Sequence, residues 1–574
     1  MAVEVQRAAG TKTIASLWGR ARGRTGTAYL TERDGSWEET SWAEAADAVD
    51  EIANGLLSLG VGKGDAFGIL GRTKLEWVLF DYALGTIGAI GAGIYPSLPP
   101  KDCAYVLDHS DAVGVFVEND EQRAKIEVER ANLPKLTHVL DYAGLDDLRA
   151  RGREHASANP GALEQARSAV GEEDLFTYIY TSGTTGPPKA CMITNRNYYS
   201  MVGAVDDVPE FIGPDDLILL YLPLAHNFGR CLHLLAGYVG CSIAFCPDPV
   251  QVGEFAVQVK PTVLPSVPRV FEKVHTAVQT SFDEATGVKR KLIDWALRVG
   301  KRVSELKQAR QPVPAGLAVQ HRLADRLVYS KVKAKLGGRL RLPLSGGAPL
   351  AKEIAEFFHT IDILIIEGYG QTECTTASNV NMPTSFRFGT VGPAIPGIEV
   401  RTAEDGEVLV RGPNLFAGYY KDEGATRAVV DDDGWLHTGD VGVIEDGFLT
   451  ITDRKKDIIV TAGGKNVSPQ NIENELKASK YVSQALVIGD RRPFLTALIT
   501  LDEAAQGLSD PQRLIQEVVD EVNLDKASFE QVKRFAIPRR DFSAEDDEVT
   551  PTLKLKRKVV AEHFADEIEA LYVR

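Results

Sequence analysis

The chain has 574 residues, a formal net charge of −16, and hydrophobic and charged fractions of 44% and 25%. Its length suggests several domains or subdomains, and its composition is that of an ordinary globular protein. The negative charge disfavours nucleic acid as a main partner, because binding to nucleic acid depends on basic surfaces.

Six cysteines are scattered along the chain, and no two of them form a C-x-x-C pair. In a chain of this length they indicate free thiols in a reducing compartment rather than a disulfide framework or a zinc site. The first residues lack the pattern of a signal peptide, and charges interrupt the most apolar early region, residues 67–95. We therefore expect a cytosolic protein.

The first part of the chain, from about residue 40 to 270, alternates helical patterns with short apolar runs. Residues 42–60 have helical spacing that ends at Gly60, a favourable residue at a helix C-terminus. Three apolar runs have the length of strands, at residues 65–71, 90–96 and 112–119. Strands separated by helices predict mainly parallel sheets with helices on both faces.

The middle of the chain changes pattern twice. Residues 268–336 contain three long helical stretches, interrupted near Gln311–Pro314. From about residue 398, Asp–Gly turn signals at 405–406 and 446–447 lie beside alternating runs and predict hairpins. These hairpins indicate a small antiparallel β subdomain at about residues 390–453.

The last part of the chain has the pattern of a separate α+β module. We expect a helix near residues 469–480, two strands at 482–489 and 494–501, and a final helix. In the final helix the apolar residues recur at steps of four, four and three, which predicts one buried face. They are Val560, Phe564, Ile568 and Leu571.

The stretch YTSGTTGPPKACMITNRN, residues 180–197, combines hydroxyls and glycines with Lys189. A Walker A loop requires a hydroxyl residue directly after its lysine, whereas Ala190 follows Lys189 here, so this is a different motif. Its hydroxyls, backbone amides and lysine can nevertheless bind an anion. The alternative is a surface loop rich in Ser, Thr and Gly.

This stretch resembles the phosphate loop of the adenylate-forming enzymes, which include acyl-CoA synthetases, luciferases and the adenylation domains of peptide synthetases. Other motifs of that superfamily follow in order: SGGAPL (345–350), EGYGQTE (367–373), WLHTGD (435–440), DRKKDIIVTAGGKNVSP (453–469) and TPTLKLKRK (550–558). The last motif and three other stretches are similar to the long-chain fatty acid–CoA ligases in particular. Those three are LPLAHNFGR (222–230), PSVPRVFEKV (265–274) and TAGGKNVSPQNIENELK (461–477).

The resemblance implies a reaction with ATP, Mg²⁺ and coenzyme A. A carboxylate attacks the α-phosphorus of ATP to give acyl-AMP and pyrophosphate, and a thiol then displaces AMP. Such steps need groups that position anions and offset their repulsion. The residues implied in ATP and AMP binding are Thr181, Ser182, Gly183, Thr184, Thr185, Gly186, Lys189, Gly346, Gly347, Ala348, Glu367, Gly368, Tyr369, Gly370, Gln371, Asp440 and Arg454.

The resemblance implies catalytic roles for three residues. Lys554 would bridge the attacking carboxylate and the α-phosphate, although KLKRK can also be a solvated basic run. Thr372 would donate a hydrogen bond to the α-phosphate, and Glu373 would bind Mg²⁺ through a hard oxygen ligand.

Further roles are implied around these residues. Lys456 occupies the hinge position, and Gly463 and Gly464 would line the tunnel for coenzyme A. An acyl pocket is expected near His226, Phe228 and Arg230, with an ordinary core role as an equal alternative for His226.

One residue departs from the superfamily pattern. Ala190 stands where the superfamily usually has glycine. If that position requires a positive φ, alanine costs about 1 kcal/mol.

The implied fold is α/β, with an N-terminal adenylate-forming domain over residues 1–455. Its mainly parallel, helix-covered sheets accompany the antiparallel β subdomain, and a mobile α+β domain over residues 456–574 carries Lys554. The expected function is that of an AMP-forming fatty acid–CoA ligase.

Several alternatives remain open from the sequence. They are an acyl-AMP ligase that loads a carrier protein, a CoA ligase for a medium-chain, branched, aromatic or sterol-derived acid, and a non-catalytic nucleotide-binding protein. Peripheral contact with the cytosolic face of a membrane is compatible with a long-chain acid substrate, and the oligomeric state is open.

Overall fold

The computed structural model describes residues 12–181, 187–505, 509–543, 545–550 and 554–573. Within these ranges, every helix is too short or too polar to cross a membrane.

The first part of the chain forms eight strands and eight helices among its described residues. They are α1 (Ile14–Ala21), β1 (Thr27–Arg33), β2 (Ser36–Ser41), α2 (Trp42–Ser58), β3 (Ala66–Leu70), α3 (Leu75–Ile87), β4 (Ile90–Ile94), α4 (Pro100–His109), β5 (Gly114–Val117), α5 (Asp120–Val128), β6 (His138–Asp141), α6 (Leu145–Ala158), α7 (Ala162–Ser168), β7 (Leu175–Thr181), β8 (Lys189–Thr194) and α8 (Asn195–Gly203).

The middle part continues the alternation and then adds a helical region. Its elements are β9 (Leu217–Leu220), α9 (Asn227–Val239), β10 (Ser242–Phe245), α10 (Val252–Val259), β11 (Val263–Ser266), α11 (Pro268–Asp283), α12 (Gly287–Gln308), α13 (Ala315–Ala324), α14 (Ser330–Ala334), β12 (Leu342–Ser345), α15 (Lys352–Thr360), β13 (Ile366–Tyr369) and β14 (Asn379–Val380).

The last part contains short strands, many of them antiparallel. Its elements are β15 (Glu399–Thr402), β16 (Glu407–Arg411), α16 (Glu423–Val429), β17 (Leu436–Glu445), β18 (Phe448–Arg454), β19 (Ile459–Val460), β20 (Asn466–Val467), α17 (Pro469–Lys477), β21 (Val482–Ile488), β22 (Leu495–Leu501), α18 (Pro511–Asn523), β23 (Val532–Ala536), α19 (Arg557–His563) and α20 (Ala565–Ala570).

Two large sheets, mainly parallel, form the N-terminal domain. One has the strand order β14-β13-β12-β11-β9-β10-β1-β2 and the other the order β6-β5-β3-β4-β7-β8. Only the edge pairs β13–β14, β1–β2 and β7–β8 are antiparallel among the described strand pairs of these sheets. All five residues of β3 and of β4 are buried, as expected for parallel strands covered on both faces.

A single apolar core joins the two sheets through the helices between them. It contains Phe67 of β3 and Ile243 of β10, with residues of α1, α2, α3 and α9. Helix α3 is buried from Trp77 to Ile87, which explains why its sequence has no polar face. Ser41 and Glu44 form a capping box at the start of α2.

The predicted alternation is confirmed in this domain. Strands β3, β4 and β5 and helix α2 lie where the sequence predicted them, and Gly60 has a φ of +82° after the helix. The third long helix differs from the expectation. A π-helical turn at Asp325–Tyr329 separates α13 from α14.

The antiparallel subdomain is also confirmed. Strands β15, β16, β17 and β18 pair in that order, each antiparallel to the next. Asp446 and Gly447 have φ values of +51° and +82° at the β17–β18 turn, where both central residues need a positive φ.

The C-terminal domain has its own three-stranded sheet and its own core. Its strands follow the order β21-β22-β23, and α17 and α18 pack against them. The final helix is divided, because α19 ends before Phe564 and α20 begins after it. The buried face was predicted correctly for Val560, Phe564 and Ile568, whereas Leu571 lies beyond the helix and is half-buried.

Candidate active site

Strands β7 and β8 hold the two ends of the phosphate-loop sequence. Thr181 and Lys189 are paired residues of this ladder. Nζ of Lys189 lies 5.0 Å from the ring centre of Tyr419 and 3.9 Å from a carboxylate oxygen of Asp422. The predicted loop residues between the strands lie outside the described residues; they are Ser182, Gly183, Thr184, Thr185 and Gly186.

Ala190 carries no conformational penalty. It is a fully buried residue of β8 paired with Tyr180, and it is absent from the non-glycine residues with a positive φ. Its carbonyl accepts a hydrogen bond of 2.9 Å from the backbone N–H of Tyr420. Alanine therefore fits this extended position, and the cost considered from the sequence does not arise.

Asp440 is the centre of a hydrogen-bonded cluster at the edge of the antiparallel subdomain. Its Oδ2 accepts from the Tyr369 hydroxyl and from Nε2 of Gln371, each at 2.7 Å. Its Oδ1 lies 3.1 Å from Nε of Arg454, the residue paired with it across β17 and β18. Four residues predicted to bind the nucleotide from three separate motifs, Tyr369, Gln371, Asp440 and Arg454, are therefore in direct contact.

The SGGAPL segment begins at the last residue of β12. The EGYGQTE segment contains most of β13 and the turn after it. Gly347 has a φ of +84°, and Gly370 allows no Cβ because one would lie 2.4 Å from Cα of Ala377. Gly346, Gly347, Gly368, Gly370 and Gln371 line a shared cavity. Ala348 is exposed beside them and is not among the residues that line it.

Glu367 is buried behind this segment. Its Oε1 accepts a hydrogen bond of 3.0 Å from the backbone N–H of Leu350. Burial raises the pKa of Glu367 to about 7, although this hydrogen bond opposes the rise. Glu367 was predicted in an adenine-binding segment. In the structure it lies beneath the loops after β12 and β13 and supports them.

Glu373 lies in a single 3₁₀ turn, Thr372–Cys374, directly after β13. Its Oε1 accepts from the Tyr419 hydroxyl at 2.6 Å, and among the described residues Oε2 has no hydrogen-bond donor. A free carboxylate oxygen is the kind of hard ligand that Mg²⁺ binds together with phosphate oxygens. Glu373 therefore fits a magnesium ion that enters with the nucleotide.

Lys554 of the C-terminal domain reaches the same cavity. It lines the cavity together with Thr372, Gly347 and His226. Burial and the positive charge of Arg454 lower the pKa of Lys554 to about 8, against the opposing attraction of Asp440 and Glu373. In this arrangement Lys554 is therefore not part of a solvated basic run, which was the alternative from the sequence.

The cavity has a volume of about 180 Å³ in all, and apolar side chains form much of its lining beside Lys554. His226 caps α9, where its Nδ1 accepts from the backbone N–H of Phe228 at 3.2 Å. Burial, followed by the Lys554 charge, lowers the pKa of His226 to about 4, so the ring is neutral at physiological pH. Beyond these two residues the lining includes Val205, Val208, Phe211, Leu232 and Leu235.

The prediction that Arg230 contributes to the acyl pocket is wrong. Its guanidinium is fully buried, bonds both carboxylate oxygens of Asp81, and donates to the Thr177 hydroxyl. His233 bonds the same carboxylate at 3.0 Å. Residues 226 and 230 are four apart on a helix, but Arg230 lies a full turn deeper and is directed at α3 instead of the cavity.

The predicted hinge and tunnel residues are not among the residues that line the cavity. Lys456 is exposed just after β18, and Gly463 and Gly464 are exposed between β19 and β20. Gly464 has a φ of +71°. Lys456 is nevertheless near enough to Lys554 for its charge to contribute to lowering the pKa of that lysine.

Contacts between α11 and the C-terminal domain accompany the position of Lys554. Arg269 donates to the backbone oxygen of Ser483 at 2.8 Å and to its hydroxyl at 2.6 Å. Lys477 lies 3.8 Å from a carboxylate oxygen of Glu272. These polar contacts join the two domains in this arrangement.

Models of two protein families match the chain. The AMP-binding enzyme model matches residues 18–420, and the AMP-binding enzyme C-terminal domain model matches residues 456–574. The chain belongs to the AMP-binding enzyme family. This AMP-binding enzyme is 39% identical over 571 residues to the long-chain-fatty-acid–CoA ligase FadD15 of Mycobacterium bovis, with 94% of this chain and 93% of the relative covered.

Two solved structures have the same fold as this AMP-binding enzyme. The anthranilate CoA ligase AuaEII in complex with anthranoyl-AMP has a TM-score of 0.76 at 21% identity, with 96% of this chain and 97% of that chain covered. ATP-bound MatB from Rhodopseudomonas palustris has a TM-score of 0.72 at 24% identity, with 96% and 99% covered.

Two residues of this AMP-binding enzyme were missed by the sequence analysis. Tyr419, which holds Glu373 and lies beneath Lys189, follows no motif that was recognised, so no local signal pointed to it. Arg269 lies within the PSVPRVFEKV stretch that resembles the long-chain ligases. That resemblance was a usable signal, but the partner of the arginine is more than 200 positions away.

Proposed function

We propose that this AMP-binding enzyme activates a long-chain fatty acid and converts it to its coenzyme A thioester, with release of AMP and pyrophosphate. The observation that carries the proposal is the position of Lys554. It lies between the Asp440–Arg454 cluster and an apolar cavity, where a carboxylate and a nucleotide would meet. The name of the FadD15 relative supports the choice of acid and of acceptor.

In the first half-reaction, an oxygen of the fatty acid carboxylate bonds to the α-phosphorus of ATP as the bond to the pyrophosphate oxygen breaks. The ammonium of Lys554 would lie near both anions and reduce their repulsion. Lys189 and the loop before it would hold the leaving pyrophosphate. Magnesium held by Glu373 would supply further charge neutralisation on the phosphate oxygens.

The nucleotide would be held by the cluster around Asp440. A carboxylate can accept hydrogen bonds from both ribose hydroxyls, and the guanidinium of Arg454 lies beside the Asp440 carboxylate. Tyr369 presents an aromatic ring beside the adenine segment while its hydroxyl orients Asp440. These contacts would position the α-phosphate near Thr372.

The second half-reaction requires another arrangement of the C-terminal domain. The thiol of coenzyme A attacks the acyl carbon, and the bond from that carbon to the AMP oxygen breaks. Lys456 lies at the domain boundary, which we place at residue 456, and Gly463 and Gly464 are exposed on the C-terminal side of it. Rotation about Lys456 would remove Lys554 and bring these glycines to the site, so that one cavity serves both steps.

The apolar lining of the cavity indicates the class of acid. Beyond His226 and Phe228, its walls present aliphatic, aromatic and thiol groups, and Lys554 is the one charged side chain among the described residues that line the cavity. Such walls favour a hydrocarbon tail and disfavour polar acids, because a buried polar group without a partner is costly.

The proposal is tested by measuring pyrophosphate release with a panel of carboxylic acids, with and without coenzyme A. The panel includes saturated fatty acids of increasing length, a branched acid, benzoate and a bile acid. We expect sustained release with long-chain fatty acids and coenzyme A, and a single turnover of acyl-AMP without coenzyme A. The Lys554→Ala variant is the matched control for background hydrolysis of ATP.

Other outcomes would contradict the proposal in distinguishable ways. Acyl-AMP that accumulates and yields no thioester after addition of coenzyme A would exclude that acceptor and favour a carrier protein. A preference for benzoate or the bile acid would exclude the fatty acid. Absence of pyrophosphate release with every acid would exclude a ligase activity.

A further inference from the structure

The basic residues of this acidic protein are concentrated in one segment. Residues 287–341 contain fifteen Lys and Arg against three Asp and Glu, a net charge of +12. The whole chain has a net charge of −16, so the remainder carries −28. Some of these cations pair with carboxylates outside the segment, as Lys307 does with Asp362 and Arg341 with Asp216, and the cations without such partners among the described residues favour a positive potential in this region.

The segment folds into helices that share one apolar core and expose their other faces. Ile293 and Val299 of α12 and Val328 and Val332 near α14 belong to the same buried cluster. The opposite side of α12 carries Lys291, Arg298 and Arg302 at steps of seven and four, which places them on one exposed face. Helices α12 and α13 pack against each other, so their exposed residues belong to neighbouring parts of the surface.

Helix α13 and the turn after it extend this surface. Arg322, Arg326 and Lys331 are exposed there. Within the described residues, these three side chains, and Lys291 and Arg298, have no ion-pair partner. Their charge is therefore available to an external anion.

Exposed aliphatic side chains lie among these cations. The side chains of Val288, Val319 and Leu323 are 83%, 63% and 48% exposed. Cations attract anionic headgroups at the bilayer surface, and protruding aliphatic groups gain by entering the boundary of the acyl region. Exposed aliphatic groups contribute nothing to the binding of a nucleic acid. A long nucleic acid would also be repelled by the net charge of −28 on the rest of the chain.

We propose that the surface of α12 and α13, defined by Lys291, Arg298, Arg302, Val319, Arg322 and Arg326, docks the protein on an anionic lipid bilayer. The inference is independent of the proposed ligase activity, since none of these residues lines the cavity. The contact is peripheral and electrostatic in its first stage, so that it weakens as ionic strength rises.

The test measures co-sedimentation of the whole protein with phosphatidylcholine vesicles that contain or lack phosphatidylglycerol. We expect binding only to the vesicles with phosphatidylglycerol, and release by added salt. The variant Lys291→Glu/Arg298→Glu/Arg326→Glu should bind at least ~10-fold more weakly, because each surface cation contributes appreciably to attraction by anionic lipid. A second variant, Val319→Ser/Leu323→Ser, should lose the part of the binding that persists at high salt.

A matched control changes the same net charge elsewhere. Arg151, Arg427 and Arg513 are exposed and lie outside the segment, and their combined reversal to Glu should leave vesicle binding within about two-fold of the wild type if the site is local. Thermal unfolding checks that each variant is folded. Equal loss in both triple variants, equal binding to neutral vesicles, no vesicle binding, or stronger binding to duplex RNA would each overturn the inference.

Discussion

Lys554 lies directly over Gly347, although the two residues belong to different domains. A Cβ built at Gly347 would lie 4.0 Å from Cε of Lys554. The backbone of Gly347 has a φ of +84°, which L side chains rarely adopt, and it leaves the approach to the cavity open for the lysine. The catalytic arrangement thus depends on a glycine turn in one domain and a lysine delivered by the other.

The pH dependence of adenylation should report Lys554. Because its pKa is lowered to about 8 by burial and Arg454, the ammonium required for the first step is present below pH 8 and is lost above it. We expect kcat/KM for pyrophosphate release to be level below pH 8 and then to fall about ten-fold per pH unit. Lys554→Arg should abolish that fall if the variant is active, since a guanidinium stays charged.

The Lys554→Ala variant separates the two half-reactions. It should lose adenylation and retain thioester formation from supplied acyl-AMP and coenzyme A. Equal loss in both measurements would show that the lysine has a structural role or acts in both steps.

Arg269 should stabilise the arrangement that delivers Lys554. Its two hydrogen bonds to Ser483 join α11 to the C-terminal domain, so Arg269→Ala should reduce kcat/KM for adenylation about ten-fold, the effect of losing ~1.4 kcal/mol. Thioester formation from supplied acyl-AMP should be unchanged or faster. Arg513→Ala, at an exposed position with 78% side-chain exposure, is the control. A parallel decrease in both half-reactions would argue against a role in domain arrangement.

Glu367 should make the protein less stable at high pH. Its folded pKa of about 7 exceeds the ordinary value of 4.5, so the folded state holds the proton more tightly. That contribution is complete below pH 4.5 and is lost as the pH rises through 7. Glu367→Gln keeps an acceptor for Leu350 without a buried charge, and should raise Tm at pH 8 but not at pH 5, with a gain of at most ~3 kcal/mol.

Thermal unfolding of wild type and Glu367→Gln at the two pH values is the measurement. An identical difference in Tm at pH 5 and pH 8 would mean that Glu367 does not titrate between them.

Arg230 should support folding rather than bind the acid. Its removal in Arg230→Met leaves Asp81 buried with His233 as its remaining side-chain partner, and loss of one member of a buried pair costs about 3–5 kcal/mol. We expect a large fall in Tm, partly restored in the double variant Asp81→Asn/Arg230→Met. In folded enzyme, KM for the fatty acid should be unchanged. A raised KM with an unchanged Tm would reinstate Arg230 as a pocket residue.

Much of the fold could be predicted because local patterns decide it. The buried runs of β3 and β4, the helix that ends before Gly60, and the Asp446–Gly447 hairpin each follow from a short stretch of sequence. The residues around Asp440 were assigned by motif resemblance, and the structure brings four of them into contact.

The remaining features depend on long-range packing. Whether Arg230 faced the cavity or α3 was decided by Asp81, which is 149 positions away and buried beside it. Tyr419 and Arg269 acquire their roles only through partners brought close by folding. The conformational cost of alanine at position 190 could not be decided from the sequence, because it depends on whether the residue lies in an extended strand.

The sequence by itself determined the order of elements, the hairpins and the set of nucleotide-binding motifs, because each is encoded within a few residues. Only the tertiary structure decided that Lys554 reaches the cavity, that Arg230 does not, and that α12 packs against α13. The physical reason is that burial, charge pairing and pKa shifts depend on neighbours in space, which the chain supplies from distant positions.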